Sequence, residues 1–188
     1  TDNLVISYFI GLAQVGVYTN YFMVTQAINM FTGQVFAGIL ASVGDLGTTD
    51  NKKRYYEVFC IGLYVNALMF VTITVVLWFV INDFIPFLGG DRLLLDPLTL
   101  AVILAVFLVN GMRRISITFR EAQGLYWYDR YKPIVESAIN LVVSIVLAIK
   151  IGLPGVFLGT LTSLLLTSFW VEPLILYKYG FQLKLRDY

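Results

Sequence analysis

Apolar residues fill this chain in runs far longer than a buried helix of a soluble protein needs, and charge is confined to short stretches between them. Residues 3–44, 58–82 and 151–171 carry no charged side chain. About 20 apolar residues cross the hydrocarbon core of a bilayer as a helix, and a Lys or Asp at its centre costs roughly 2.5–3.5 kcal/mol, so lipid selects such runs. Residues 3–44 are too many for one span, because a single helix would reach about 63 Å. The pattern predicts a break among Gly11 to Gly16, giving helices over 1–10 and 17–44. Further helices are predicted over 55–80, 97–120, 133–150 and 155–172. Asn82, Asp83 and Pro86 close the third, Pro97 opens the fourth, Pro133 opens the fifth, and Gly152, Pro154 and Gly155 make the last turn. Pro suits a first helical turn because its missing N–H has no partner there. The predicted fold is all-α: one polytopic transmembrane bundle over 1–188, with about six helices, the first of them cut short.

Orientation follows from alternation. If the 45–54 loop is cytoplasmic, Arg92 and Lys150 lie outside and the other eleven of the 13 Lys and Arg lie inside. That is a strong positive-inside bias. The 121–132 loop then faces the cytoplasm, and its aromatics suit the headgroup level.

Composition narrows the functions. With 59% hydrophobic and 13% charged residues and a mean hydropathy of +0.79, the chain is no soluble domain, which carries about 25% charge. A net charge of +1 argues against nucleic acid. No His and a single cysteine, Cys60, exclude a Ser-His-Asp relay, an internal disulfide and a His/Cys zinc site. No catalytic residue, metal or cofactor is expected. Cys60, within an apolar run, reads as a small hydrophobe. The opening Thr1-Asp2-Asn3 reads as a cut within a larger polytopic protein.

Polar groups within a bilayer are functional candidates by default. Arg113 lies 17 residues past Asp96, about 25 Å into the fourth helix. Arg113 and Arg120, seven apart, share a face with Asn110 and form a polar stripe. The stripe reads either as a cationic wall suited to phosphate, which guanidinium grips as a fork, or as interfacial snorkelling. Glu136 enters at the same level, as a gate partner for an arginine of the fourth helix or as an acid favoured near a helix N-terminus. Asp2 is a candidate coupling or substrate contact, or a terminus without its context. Asn66 and Asn140 read as interhelical hydrogen bonders. Gly155, Gly159, Ser163 and Thr167, four apart, read as a close-packing face, or less readily as a surface that slides.

Three segments taken together, TDNLVISYFIGLAQVGVYTNY, FREAQGLYWYDRYKPIVESAINLVVSIVLAIKIGLPGVFLGT and FWVEPLILYK, resemble the polysaccharide flippases. These are the oligosaccharide repeat-unit exporters of the multidrug/oligosaccharidyl-lipid/polysaccharide exporter superfamily. The resemblance covers nearly the whole chain and rests on no single motif. It implies most of the second lobe of a two-lobed exporter, partnered by an N-terminal lobe of the same protein, in a bacterial inner membrane. The implied activity is flipping of a polyprenyl-pyrophosphate-linked oligosaccharide from the cytoplasmic to the outer leaflet, with the prenyl tail left in membrane lipid. The family's cavity cations would fall on Arg113, Arg114 or Arg120, by position only. The alternatives are a cation-coupled multidrug antiporter, with Asp2 as the coupling group, and a membrane polymerase or ligase. The short outer loops disfavour the enzyme.

Overall fold

A computed structural model describes residues 2–47, 52–90 and 93–182. Part of the predicted 45–54 loop, the start of the 91–96 link, and Lys184 and Arg186 lie outside the described residues. Every described element is helical: α1 (Asp2–Phe9), α2 (Leu12–Gly47), α3 (Lys52–Gly89), α4 (Pro97–Met112), α5 (Arg114–Ala122), a 3-10 turn (Leu125–Asp129), α6 (Lys132–Ile151), α7 (Leu153–Leu166), α8 (Ser168–Ile175) and a π-helical turn (Leu176–Phe181). Five stretches are long and apolar enough to cross a membrane: Leu12–Asp45, Lys53–Phe87, Pro97–Ala122, Leu125–Ile151 and Leu153–Phe181. The chain is an all-α, multi-pass membrane bundle. Its outer face is apolar, with Tyr8, Phe31, Phe79 and Phe87 among its exposed side chains, as a lipid-facing surface requires.

Contacts at the helix ends sort into two sets, as alternating spans demand. At one end, Tyr21 near the start of α2 donates its hydroxyl to Asn82 Oδ1 near the end of α3 (2.7 Å). The Tyr21 oxygen also accepts the Leu95 N–H, just before α4 (3.1 Å). At the other end, Tyr55 and Phe59 of α3, Phe119 of α5 and Phe181 of the π-turn form an aromatic cluster. This second end also carries Arg120 and Lys132.

The first break falls at Gly11, whose φ of 122° suits glycine alone. With the chain turning at Gly11 alone, α2 begins at Leu12 rather than at 17, and three further boundaries differ by several residues. α3 does not stop at residue 80 but runs through Asn82, Asp83 and Pro86 to Gly89. Ile81 and Ile85 are fully buried, and their packing outweighs the polar and proline stop signals. The predicted 97–120 helix is interrupted at Arg113, where Asn66 of α3 donates its side-chain amide to the Gly111 and Met112 carbonyls (3.0 and 3.1 Å). A side chain inserted into the helix ladder is a recognised cause of such breaks. The last helix, predicted to end at 172, breaks at Thr167 and continues to Phe181, held by the aromatic cluster.

Asp96 caps α4, accepting the Thr99 N–H (3.0 Å) and the Thr99 hydroxyl. Slight burial raises its pKa, but the Thr99 bonds outweigh that and hold the carboxyl below the usual carboxylate range. Asp96→Ala should cost about 0.5–2 kcal/mol. Because the folded-state pKa is lowered, this stabilisation is present above the unfolded carboxylate pKa and is lost as pH falls through the folded value. Thermal midpoints of the two proteins should therefore differ at neutral pH and converge in acid; a constant gap would rule out this cap.

Candidate functional site

Two polar assemblies lie inside this apolar bundle. The larger is a cavity of about 930 Å³ between α1, α2, α3, α4, α5 and α7. Its polar wall is made by Gln26 and Asn29 of α2, Asn110 of α4 and Arg114 of α5. Tyr18, Phe22, Phe70 and Phe157 supply flat aromatic surface, and Asp2 and Thr160 lie on the same lining. Arg114 reaches the cavity across α2, with Nη2 3.5 Å from the Asn29 carbonyl. A Cβ on Gly33 would stand 2.9 Å from the same nitrogen, so a glycine there makes room for the guanidinium.

Asp2 sits in a polar network joining three helices. The Thr160 hydroxyl lies 3.2 Å from both Asp2 carboxylate oxygens and accepts from Asn140 Nδ2 (3.1 Å). Ser144 Oγ stands 3.1 Å from Asn140 Oδ1 and 2.9 Å from the Val156 carbonyl. Asn140 therefore bonds between helices. So does Asn66, at the α4–α5 junction.

The second assembly is a buried ion cluster centred on Glu172 of α8, whose side chain is 1% exposed. Arg113 grips it as a fork, Nε to Oε2 at 2.9 Å and Nη2 to Oε1 at 2.6 Å. Lys132 donates to Oε1 of the same carboxylate, and Arg120 Nη1 lies 3.7 Å from that oxygen while pairing with Asp129. Lys132 Nζ is also 3.9 Å from Asp129. Three cations thus face two carboxylates. Asn110 joins the two assemblies: it lines the cavity while its Oδ1 accepts from Arg113 Nη1 (3.0 Å).

The predicted arginine stripe is accordingly divided. Arg113 and Arg120 turn to Glu172 and Asp129 and are absent from the lining of the large cavity. Arg114, one residue on and so about 100° around the helix, faces it with Asn110. The acid that meets the arginines is Glu172, not Glu136. Glu136 instead accepts from Ser168 Oγ and from Thr167 Oγ1 (3.3 Å), at the break between α7 and α8. Glu172, Asp129, Gln26, Asn29 and Gly33 escape sequence reasoning. The one signal for Glu172 was a lone acid directly after a charge-free run, set against several cations without partners. The Gly155–Gly159 face packs tightly: added Cβ atoms would lie 2.3 Å from the Leu147 carbonyl oxygen and 2.2 Å from Ser144 Oγ of α6. Among the described residues, no group of His, Cys, Asp or Glu suited to a metal ion is formed.

This geometry defines a multi-pass helical membrane protein with an open, largely apolar cavity whose described lining carries one cation, Arg114, and one acid, Asp2. Comparison with protein-family models, with curated proteins and with solved structures gives no match to the chain.

Proposed function

We propose that this chain forms part of a transporter that moves a polyprenyl-pyrophosphate-linked oligosaccharide from the cytoplasmic to the outer leaflet of a bacterial inner membrane, with a further lobe of the same protein completing the cavity. The observation that carries this reading is Arg114 on the cavity wall. Among the described lining residues it is the only cation, set beside the side-chain amides of Gln26, Asn29 and Asn110. A guanidinium grips phosphate oxygens as a fork, amides suit sugar hydroxyls, and aromatic faces suit sugar rings. Arg114, with Asn110, then contacts the pyrophosphate. Arg113 and Arg120 serve through Glu172 in holding α5, α6 and α8 together.

The test is export of surface glycan by the full-length protein in a strain lacking its own transporter, with expression levels matched. Arg114→Ala should abolish export. Arg114→Lys keeps the charge without the fork, and should weaken substrate affinity about ten- to a hundred-fold, the weight of one charge-assisted bond. Full export by Arg114→Ala would overturn the assignment.

A second reading, a cation-coupled antiporter, is favoured by one observation: Asp2 lies on the cavity wall and is held by Thr160. Under that reading Asp2→Asn abolishes drug efflux driven by a cation gradient, in cells where glycan export is unaffected by Arg114→Ala.

A further inference from the structure

A second groove, of about 380 Å³, runs between α3, the α4–α5 junction and α8. It is graded along its length. At the cation-rich end of the bundle it is lined by the Tyr56 and Tyr177 hydroxyls, 3.3 Å apart, by Ser116 and by Arg113. Toward the membrane centre it becomes apolar, with Leu63, Ala67, Met112 and Phe169. Tyr56 and Ala67 are eleven residues apart on α3, which is about 16 Å, the depth of one leaflet's hydrocarbon. Cys60 and Tyr64 on its rim are exposed on the bundle's outer face, so it is open to lipid.

Two further observations bear on what fills it. Ser116 is 1% exposed, and its hydroxyl has no hydrogen-bond partner among the described residues. A helical serine ordinarily bonds the carbonyl one turn back; here that carbonyl, of Met112, accepts from Asn66. A buried polar group left unpaired is costly and asks for a donor or acceptor from outside the protein. The electrostatics near this end are also cationic. Arg113 belongs to a cluster of three cations and two carboxylates, and within a turn of Tyr56 the exposed Lys53 and Arg54 outnumber the exposed Glu57.

From this juxtaposition we propose that the groove is a binding site for an anionic membrane phospholipid of the leaflet facing the cation-rich end. One acyl chain lies along α3 against Leu63, Ala67 and Phe169. The headgroup meets the tyrosine hydroxyls and Ser116, beside Arg113. The lipid fastens α8 to α3 from the outside, where Glu172 fastens it from within. The site is separate from the large cavity, and its lipid occupancy does not depend on which cargo that cavity takes.

The experiment is native mass spectrometry of the full-length protein released from detergent, titrated with phosphatidylglycerol, with phosphatidylcholine of the same chains, and with polyprenyl phosphate. One phosphatidylglycerol should be retained about five-fold more strongly than phosphatidylcholine, the weight of one basic side chain at a headgroup. Ala67→Trp fills the tail end and should abolish that retention. Because the bulky residue could perturb folding, Ser116→Ala provides an independent measure. It removes an unpaired buried hydroxyl, so in lipid-free detergent its thermal midpoint should equal or exceed that of the parent. Added phosphatidylglycerol should then raise the parent's midpoint more than the variant's. A purely structural serine would give the same difference with and without lipid. Equal retention of the two phospholipids, tighter retention of polyprenyl phosphate at this site, or phosphatidylglycerol retention unchanged by both variants would each overturn the proposal.

Discussion

Glu172→Ala is expected to destabilise the protein by about 3–5 kcal/mol, the cost of stranding buried charge when one partner of a buried ion pair is removed. The variant leaves Arg113 without its carboxylate partner and Arg120 and Lys132 with Asp129 alone, the cation side chains being only 10–11% exposed. The asymmetry of the cluster makes the prediction specific. Glu172 is the common acceptor, whereas Arg113→Met still leaves it Lys132 and Arg120 nearby, so that change should cost distinctly less. Replacing both ends at once, Arg113→Met with Glu172→Leu, should recover much of the loss, because neither partner is then left unpaired. The measurement is detergent- or heat-driven unfolding of the purified full-length protein for all three variants. A Glu172→Ala protein within about 0.5 kcal/mol of the parent, as for an ordinary surface change, would show that the cluster does not hold α8 in place.

Gly159→Ala should be the next most damaging small change. Its added methyl would lie 2.2 Å from Ser144 Oγ, 2.5 Å from Ser144 N and 2.6 Å from Ser144 Cα. Two of these are backbone atoms that cannot swing aside, so α6 and α7 must part. Overpacking of this kind costs about 1–3 kcal/mol. The damage reaches the cavity as well, because the same approach sets the Ser144–Val156 and Asn140–Thr160 bonds, and Thr160 holds Asp2. Gly155→Ala meets the Leu147 carbonyl at 2.3 Å and acts on the same interface. The double variant should therefore fall short of the sum of its parts. Gly38→Ala is the control. Nothing lies within 4 Å of its Cβ position, and alanine's helix propensity should stabilise it by up to about 1 kcal/mol. If Gly159→Ala unfolded no more readily than Gly38→Ala, the tight α6–α7 seam would be disproved.

Both predictions turn on residues that the sequence treats unequally. Gly155 and Gly159 are legible from it, since small residues four apart on an apolar helix mark a surface where backbones approach. Asn66 and Asn140 are legible for a related reason: an amide in lipid must find a partner on another helix. Glu172 is not legible, because its role depends on three cations drawn from α4–α5 and α6. Its place at the end of a charge-free run makes it look like a boundary.

The sequence by itself determined that this is a multi-pass membrane protein, and roughly where, among the described residues, the five stretches long and apolar enough to cross lie after a first short helix. Hydropathy sums the transfer cost of each residue separately, so a span is visible without knowing its neighbours. Only the tertiary structure decided where α3 and the last span end, where the fourth is interrupted, and which way the polar groups face. Packing of Ile81 and Ile85 carries α3 past Pro86, and the aromatic cluster carries the last helix to Phe181. Arg113 and Arg114 are equivalent in charge and adjacent in sequence, yet one is bound to Glu172 and the other lines the cavity. That choice rests on about 100° of helix rotation, and on which neighbours the packed helices place at each angle.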